Sequence, residues 1–242
     1  MQTDSASWDN RALIAYWDRA FALSEEQKTQ IRDRREDSWK DLAPSEKLFR
    51  AACSLGKRKK ILDYGCGTAW AAIIAAKSGC ADIIAADAAP SALESARLCA
   101  ERYGVGDRIR FDHAAPGWLK SLSSETYDGF FCSNVLDVIP PETAEEIIRE
   151  SARVIKRDGS VIVGLNYYLS PETAASKGLE LVEGKRLYLD GVLRLVSRTD
   201  EEWEQIFSPW YAVEQLDHFA WPGEANELRR LFYLRKREDR KQ

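Results

Sequence analysis

Histidine is nearly missing from this 242-residue chain: His113 and His218 stand far apart, with no cysteine or acidic cluster around either, so no metal centre is expected. The five cysteines (Cys53, Cys66, Cys80, Cys99, Cys132) are an odd set without a C-x-x-C pair, which argues against a disulfide framework and for reduced thiols. No apolar run approaches the roughly 18 residues that cross a bilayer. The apolar stretch after Arg11 stops at Asp18, too short for a secretory signal, so a cytoplasmic protein without a membrane partner is expected. Excess positive charge is lacking too: 35 Lys and Arg against 39 Asp and Glu give a net charge of −4, and nothing in bulk draws the chain to nucleic acid. There is no G-x-S-x-G elbow for serine hydrolysis. The phosphate loop G-x-x-x-x-G-K-[ST] is also absent, since Gly56-Lys57 and Gly184-Lys185 are each followed by Arg.

What is present is a substantial apolar fraction, 45% of residues, enough for a sizeable core in one large domain or one domain with a cap. Residues 1–57 are charged and read as two or three amphipathic helices forming an N-terminal cap; Ser24 followed by Gln27 marks a capping box. From residue 58 short apolar runs alternate with helical stretches, the form of strand-helix units on a parallel sheet. Strands are expected at Lys60–Tyr64, Asp82–Ala86, Arg108–His113, Tyr127–Cys132 and Ser160–Asn166, with helices near 69–78, 90–103 and 142–156. Beyond Asn166 the alternation stops. Arg186–Leu189, Asp190-Gly191 and Val192–Val196 read as a hairpin on a type I′ turn, because Asp-Gly tolerates positive φ; the insertion spans about 168–198. Thr199 and Glu202 cap another helix, and strands near 211–219 and 227–236 extend the sheet. The basic groups Arg229-Arg230 and Arg235-Lys236-Arg237 read as a solvated strand edge.

The richest segment is Asp63-Tyr64-Gly65-Cys66-Gly67-Thr68-Ala69-Trp70, where an apolar strand runs into glycines and then a helix. At the carboxyl end of a strand in an open sheet this is where a ligand crevice forms, and the helix presents unpaired N–H groups there. Asp87 lies twenty residues beyond Gly67 at the end of the second strand, the spacing at which an acid reaches ribose hydroxyls. Trp70 stands where a dinucleotide fingerprint needs its third glycine, which argues against NAD.

These residues resemble the class I S-adenosylmethionine-dependent methyltransferases, whose loop reads D-x-G-x-G-x-G. The resemblance continues through Asp87, through Tyr127-Asp128-Gly129-Phe130-Phe131-Cys132-Ser133-Asn134-Val135-Leu136, and through Arg153-Val154-Ile155-Lys156-Arg157-Asp158-Gly159, covering about residues 58–166. It implies a doubly wound α/β fold with a mainly parallel seven-stranded sheet, and S-adenosyl-L-methionine as cofactor, with S-adenosyl-L-homocysteine as product. Carried over by position, Tyr64, Gly65, Cys66 and Gly67 face the methionine part, Asp63 orders the loop near its ammonium, and Asp87 with Ala88 takes the ribose. Ala115 and Pro116 flank the adenine, with Asp112 the alternative if the register shifts, and Ser133, Asn134 and Val135 close the site. Ala69 departs from the family, which usually has glycine there: alanine is tolerable in a helical conformation and awkward at positive φ. Cysteine at position 66 is usual in this loop and structural.

Methyl transfer from a sulfonium needs proximity and alignment more than a catalytic side chain. Asp137 is the candidate general base, set against a purely structural role capping the helix after Pro140-Pro141. The strand exit Ser133-Asn134-Val135-Leu136 lacks an N-P-P-Y-type sequence, which counts against nucleobase amines, and the expected acceptor is a small molecule methylated on O or N. In such a fold the helices before residue 58, Asn166-Tyr167-Tyr168, the hairpin and Trp221-Pro222-Gly223 are expected to surround the acceptor, with Trp17, Trp39, Tyr167, Tyr168 and Trp221 the candidate pocket residues, their alternative being ordinary core packing. Three other functions stand beside this reading: an adenosyl-compound sensor without turnover, an RNA or protein methyltransferase, and a nicotinamide-dependent oxidoreductase.

Overall fold

The computed structural model describes residues 3–33 and 38–237, with side chains in the first helix from Asn10 onward. In chain order the elements are α1 (Thr3–Phe21), α2 (Glu25–Asp33), α3 (Glu46–Leu55), β1 (Lys60–Tyr64), α4 (Trp70–Lys77), β2 (Asp82–Asp87), α5 (Pro90–Arg102), β3 (Ile109–His113), β4 (Tyr127–Ser133), α6 (Pro141–Val154) and β5 (Ile155–Leu165). There follow α7 (Pro171–Ser176), β6 (Glu180–Val182), β7 (Arg186–Leu189), β8 (Val192–Val196), α8 (Asp200–Phe207), β9 (Tyr211–Phe219) and β10 (Arg229–Lys236), with short 3₁₀ turns in the loops.

The main sheet has seven strands in the order β3-β2-β1-β4-β5-β10-β9, parallel through β5, with β10 antiparallel to both β5 and β9. Consecutive apolar residues in the strands face opposite layers, as the period of two requires. Ile61, Ile83 and Phe131 enter the core shared with α3, α4 and α5, whereas Leu62, Ile84 and Phe130 enter the core shared with α6 and α8. Burial on both faces is why these strands read as unbroken apolar runs. The chain order reverses between β1 and β4, so the crevice opens at their carboxyl ends, where such sheets bind ligands.

Local signals explain most element ends. Ser24 and Gln27 exchange the two hydrogen bonds of a capping box, and so do Thr199 and Glu202. Asp190 and Gly191 have φ +52° and +71°, the two positive values a type I′ turn needs between β7 and β8. With β6 this hairpin makes a separate three-stranded sheet.

Two expectations change. The boundary placed at residue 58 runs through packed core: Leu48, Ala51, Ala52 and Leu55 of α3 are buried in the same layer as α4, so of the N-terminal helices only α1 is over the crevice, and α2 packs on α5. The stretch read as a solvated basic edge is not one at Arg229-Arg230. β10 lies between β5 and β9, and Arg230 is 1% exposed, donating to the carbonyl oxygens of Asn166 and Arg198 and to Asp200. Two converging carbonyls and a carboxylate make an interior site for a guanidinium, which no local sequence pattern reveals.

Candidate active site

The loop after β1 is held by three acceptors. The Ala86 carbonyl on β2 takes the amides of Gly65 (2.8 Å) and Cys66 (3.1 Å). Asp87 takes the Gly67 amide on Oδ2 and the Ala89 amide on Oδ1, each at 2.9 Å. Asp63 takes the Ala72 amide on Oδ2 at 3.1 Å, clamping the first turn of α4 to β1. Gly65 sits at φ +68°, and a Cβ there would lie 2.2 Å from Cγ2 of Val135, so the crossing of this loop with the β4 exit requires glycine. Ala69 also lies in the left-handed region, at φ +59°, so the loop keeps a glycine-like backbone path at an alanine and bears strain of about 1 kcal/mol.

Beyond the loop is a cavity of about 600 Å³, within the range of small-molecule sites. Its floor is the carboxyl ends of β1, β2 and β4. Its roof is α1, which presents Asn10, Leu13, Ile14, Tyr16, Trp17 and Phe21, spaced three and four apart along one face. The helix is tied at both ends. Asp18 Oδ1 accepts from the Ser91 amide at the start of α5, and Ser95 Oγ donates to the Phe21 carbonyl. At the other end Asn10 Nδ2 donates to Thr143 Oγ1 of α6 (3.1 Å), and Tyr16 packs under the Arg194 guanidinium of β8, 4.0 Å from ring centroid to Cζ. Phe21 closes over the glycine loop, its Cζ 3.1 Å from where a Cβ on Gly67 would be.

Of the residues expected to hold the cofactor, Tyr64, Gly65, Cys66, Gly67, Asp87, Ala88, Pro116, Ser133, Asn134 and Val135 line this one cavity. Asp63 does not: it is 3% exposed and lies behind the loop as the clamp on α4. Ala115 does not either, for the chain turns after β3 so that Ala114 faces the cavity and Ala115 faces solvent. The alternative, Asp112, is engaged by both arms of Arg110 at 3.0 and 2.9 Å. Trp70 lines the cavity edge-on to Phe131, filling space that a dinucleotide fingerprint leaves to a small residue.

Among the acceptor-pocket candidates, Trp17 and Trp221 line the cavity and Trp39, Tyr167 and Tyr168 do not. Trp39 sits in a 3₁₀ turn outside the crevice, Tyr168 is exposed, and Tyr167 stacks on Arg229, which also covers Trp221. Asp137 is displaced from both roles considered for it. Its carboxylate is fully buried off the cavity, Oδ2 accepting from the Asn166 amide at 2.6 Å, and α6 starts at Pro141 without a side-chain cap. It positions the β5 exit, where Asn166 itself lines the cavity. Residues the sequence reading missed are Asn10, Leu13, Ile14 and Tyr16 on α1, Val138, Ile139, Thr143 and Ile147 around α6, and Leu193 and Arg194 on β8. The N-terminal helices and the hairpin were expected around the acceptor, and α1 and β8 do line the cavity; what no local signal marks is which of their side chains face it.

Burial governs the electrostatics. It pushes the Asp63 carboxyl up to about 7 against the pull of the Ala72 amide, with the Asp87 charge adding to the rise. Asp87 and Asp137 are raised for the same reason, offset by backbone donors and, for Asp137, by Arg230. The Cys66 thiol is also pushed up by burial, so the neighbouring helix start does not make it a thiolate. Asp87 and Arg194 are the only charged residues among the described ones lining the cavity. Asn134, in the left-handed region at φ +56°, has its Oδ1 buried without a donor at the cavity wall, a place for a ligand N–H. Among the described residues no three His, Cys, Asp or Glu side chains are grouped to hold a metal, and no helix is long and apolar enough to cross a membrane.

A doubly wound sheet with a glycine loop after β1, an acid at the end of β2 and a cavity across its switch point defines a Rossmann-like fold of the methyltransferase type. Residues 61–159 match the family model described as a methyltransferase domain. Over that stretch the chain is similar to a methyltransferase domain, and its fold is that of solved S-adenosylmethionine-dependent methyltransferases. It is 26% identical over 151 residues to a ubiquinone biosynthesis O-methyltransferase of Neisseria meningitidis, covering 62% of this chain and 58% of that protein. It is 41% identical over 68 residues to a ribosomal protein L11 methyltransferase of Cupriavidus pinatubonensis, covering 28% and 20%. The matched stretches thus span less than two thirds of these relatives. The magnesium protoporphyrin IX methyltransferase of Synechocystis, solved with bound S-adenosylhomocysteine, shares the fold at TM-score 0.64 and 16% identity over 93% of this chain and 99% of that one. So does a 1,6-didemethyltoxoflavin N1-methyltransferase of Burkholderia thailandensis, at TM-score 0.62 and 17% identity over 87% and 85%.

Proposed function

We propose that this protein transfers the methyl group of S-adenosyl-L-methionine to an oxygen or nitrogen of a small-molecule acceptor. The observation that carries the reading is the roofed cavity. One continuous cavity holds the glycine loop, Asp87 and Asn134 together with the apolar side chains under α1. The residues present fit the cofactor: a backbone cradle at Gly65 that a Cβ would fill, an acid at β2 for two vicinal hydroxyls, and the undonated Oδ1 of Asn134 for an ammonium. When bound, the cofactor supplies an electrophilic methyl on a positively charged leaving group. The protein's part is alignment and exclusion of water, which Phe21, Trp17 and the two tethers of α1 perform from above. With Asp137 buried off the cavity, no general base is assigned. A cavity of about 600 Å³ roofed by α1 favours a small acceptor over RNA or a folded protein.

Calorimetric titration with S-adenosylhomocysteine, S-adenosylmethionine and NAD tests the cofactor assignment. The adenosyl compounds are expected to bind and to raise the melting temperature, NAD is not, and Gly65→Val or Asp87→Ala should abolish binding. Correctly folded protein that binds neither adenosyl compound would refute the assignment. Binding without turnover on any acceptor offered would instead favour the sensor.

A further inference from the structure

The Arg194 guanidinium is half-buried in the wall of the cavity, and among the described residues it has neither an acidic partner nor a hydrogen-bond acceptor. Its Cζ lies 4.0 Å from the centroid of the Tyr16 ring, a cation-π contact that uses none of its N–H hydrogen bonds. Of the buried arginines, Arg229 pairs with Glu224 and Arg230 with Asp200 and two carbonyls, whereas Arg198 packs over Trp203, away from the cavity, with Nη1 unpartnered. An unpaired guanidinium that lines the cavity beside mainly apolar side chains has its N–H donors available to an anionic ligand.

The path of α1 places this charge. Phe21 lies over Gly67 and its carbonyl is tied to α5, which puts that end of the helix over the adenosine and methionine half. Asn10, about 16 Å away along the axis, is tied to Thr143 of α6. Tyr16 and Arg194 lie between, on the β8 side, where the neighbouring wall is Leu13, Ile14, Val138, Ile139 and Leu193. Resting on the methyltransferase reading, we propose that the acceptor is a carboxylic acid with an apolar body, whose carboxylate pairs with Arg194 while the body packs against those apolar side chains. The planar fork of arginine matches two carboxylate oxygens at once. The cofactor's own carboxylate is the other source of the same chemistry, and the experiment separates the two.

Protein saturated with S-adenosylhomocysteine is titrated with benzoate, 4-hydroxybenzoate, cinnamate and indole-3-acetate, and with the amide of each. At least one acid should bind, at least tenfold tighter than its amide, and Arg194→Met and Arg194→Gln should each remove that preference while the affinity for S-adenosylhomocysteine stays as in the wild type. Melting curves confirm that the variants fold. In a second arm the free proteins are titrated with S-adenosylhomocysteine and with 5′-methylthioadenosine, which lacks the carboxylate. If either arginine variant weakens the first and spares the second, Arg194 serves the cofactor and the proposal fails. It fails equally if no acid in the panel binds, or if acid and amide bind alike. Failure of wild-type protein to bind S-adenosylhomocysteine at all would instead remove the reading on which the proposal rests.

Discussion

Replacing Asp63 with asparagine tests the account of the loop through its dependence on pH. The buried carboxyl is raised from the ordinary range near 4 to about 7. The native state therefore holds a proton between those values that the unfolded chain has released, and stability falls as pH rises through that window. At about 1.4 kcal/mol per tenfold change in proton affinity, the penalty is about 1.5 kcal/mol at pH 5 and about 4 kcal/mol at pH 8. The substituted asparagine would keep an oxygen to accept from the Ala72 amide and would carry no charge. Urea unfolding of both proteins at pH 5, 6, 7 and 8 should show the variant gaining on the wild type by about 2.5 kcal/mol across the series, because other titrating groups cancel in the difference. A difference independent of pH would show that Asp63 is ionised at no cost, and the burial argument would be wrong.

Two further outcomes follow from the backbone and the interior charges. Ala69→Gly relieves the left-handed strain at φ +59° and should raise stability by about 0.5–1 kcal/mol, seen as a melting temperature about 2 °C higher; a lower value would mean that the methyl's packing outweighs the strain. Arg230→Met leaves the Asn166 and Arg198 carbonyls and Asp200 without their donor and should destabilise by about 3 kcal/mol in thermal or urea unfolding, whereas a solvated edge arginine would change it by less than about 0.5 kcal/mol.

The loop, the strand ends and the order of elements were legible because each is written in a short window. Glycines where φ is positive, apolar runs of strand length and capping pairs such as Thr199 and Glu202 act within a few residues of themselves. Asp63 and Ala115 were misplaced by the same logic. A residue one or two positions from a lining residue shares its sequence neighbourhood, but the pleat of a strand or a turn after it sends the side chain elsewhere. The aromatic candidates failed for a different reason: tryptophan and tyrosine serve packing and recognition equally well, so Trp39, Tyr167 and Tyr168 looked the same as Trp17 and Trp221 until their neighbours were known.

By itself, then, the sequence determined the doubly wound core, the cofactor loop and the acid at the end of β2, since periodicity and glycine placement encode backbone conformation directly. Tertiary structure alone decided which side chains of the cap helices and the hairpin close the site. That α1 crosses from α5 to α6, that β8 brings Arg194 onto Tyr16, and that Arg230 and Asp137 turn inward at the β5 exit all depend on residues far apart in the chain meeting. Such meetings are set by how whole layers pack, and packing leaves no trace in any one stretch of chain.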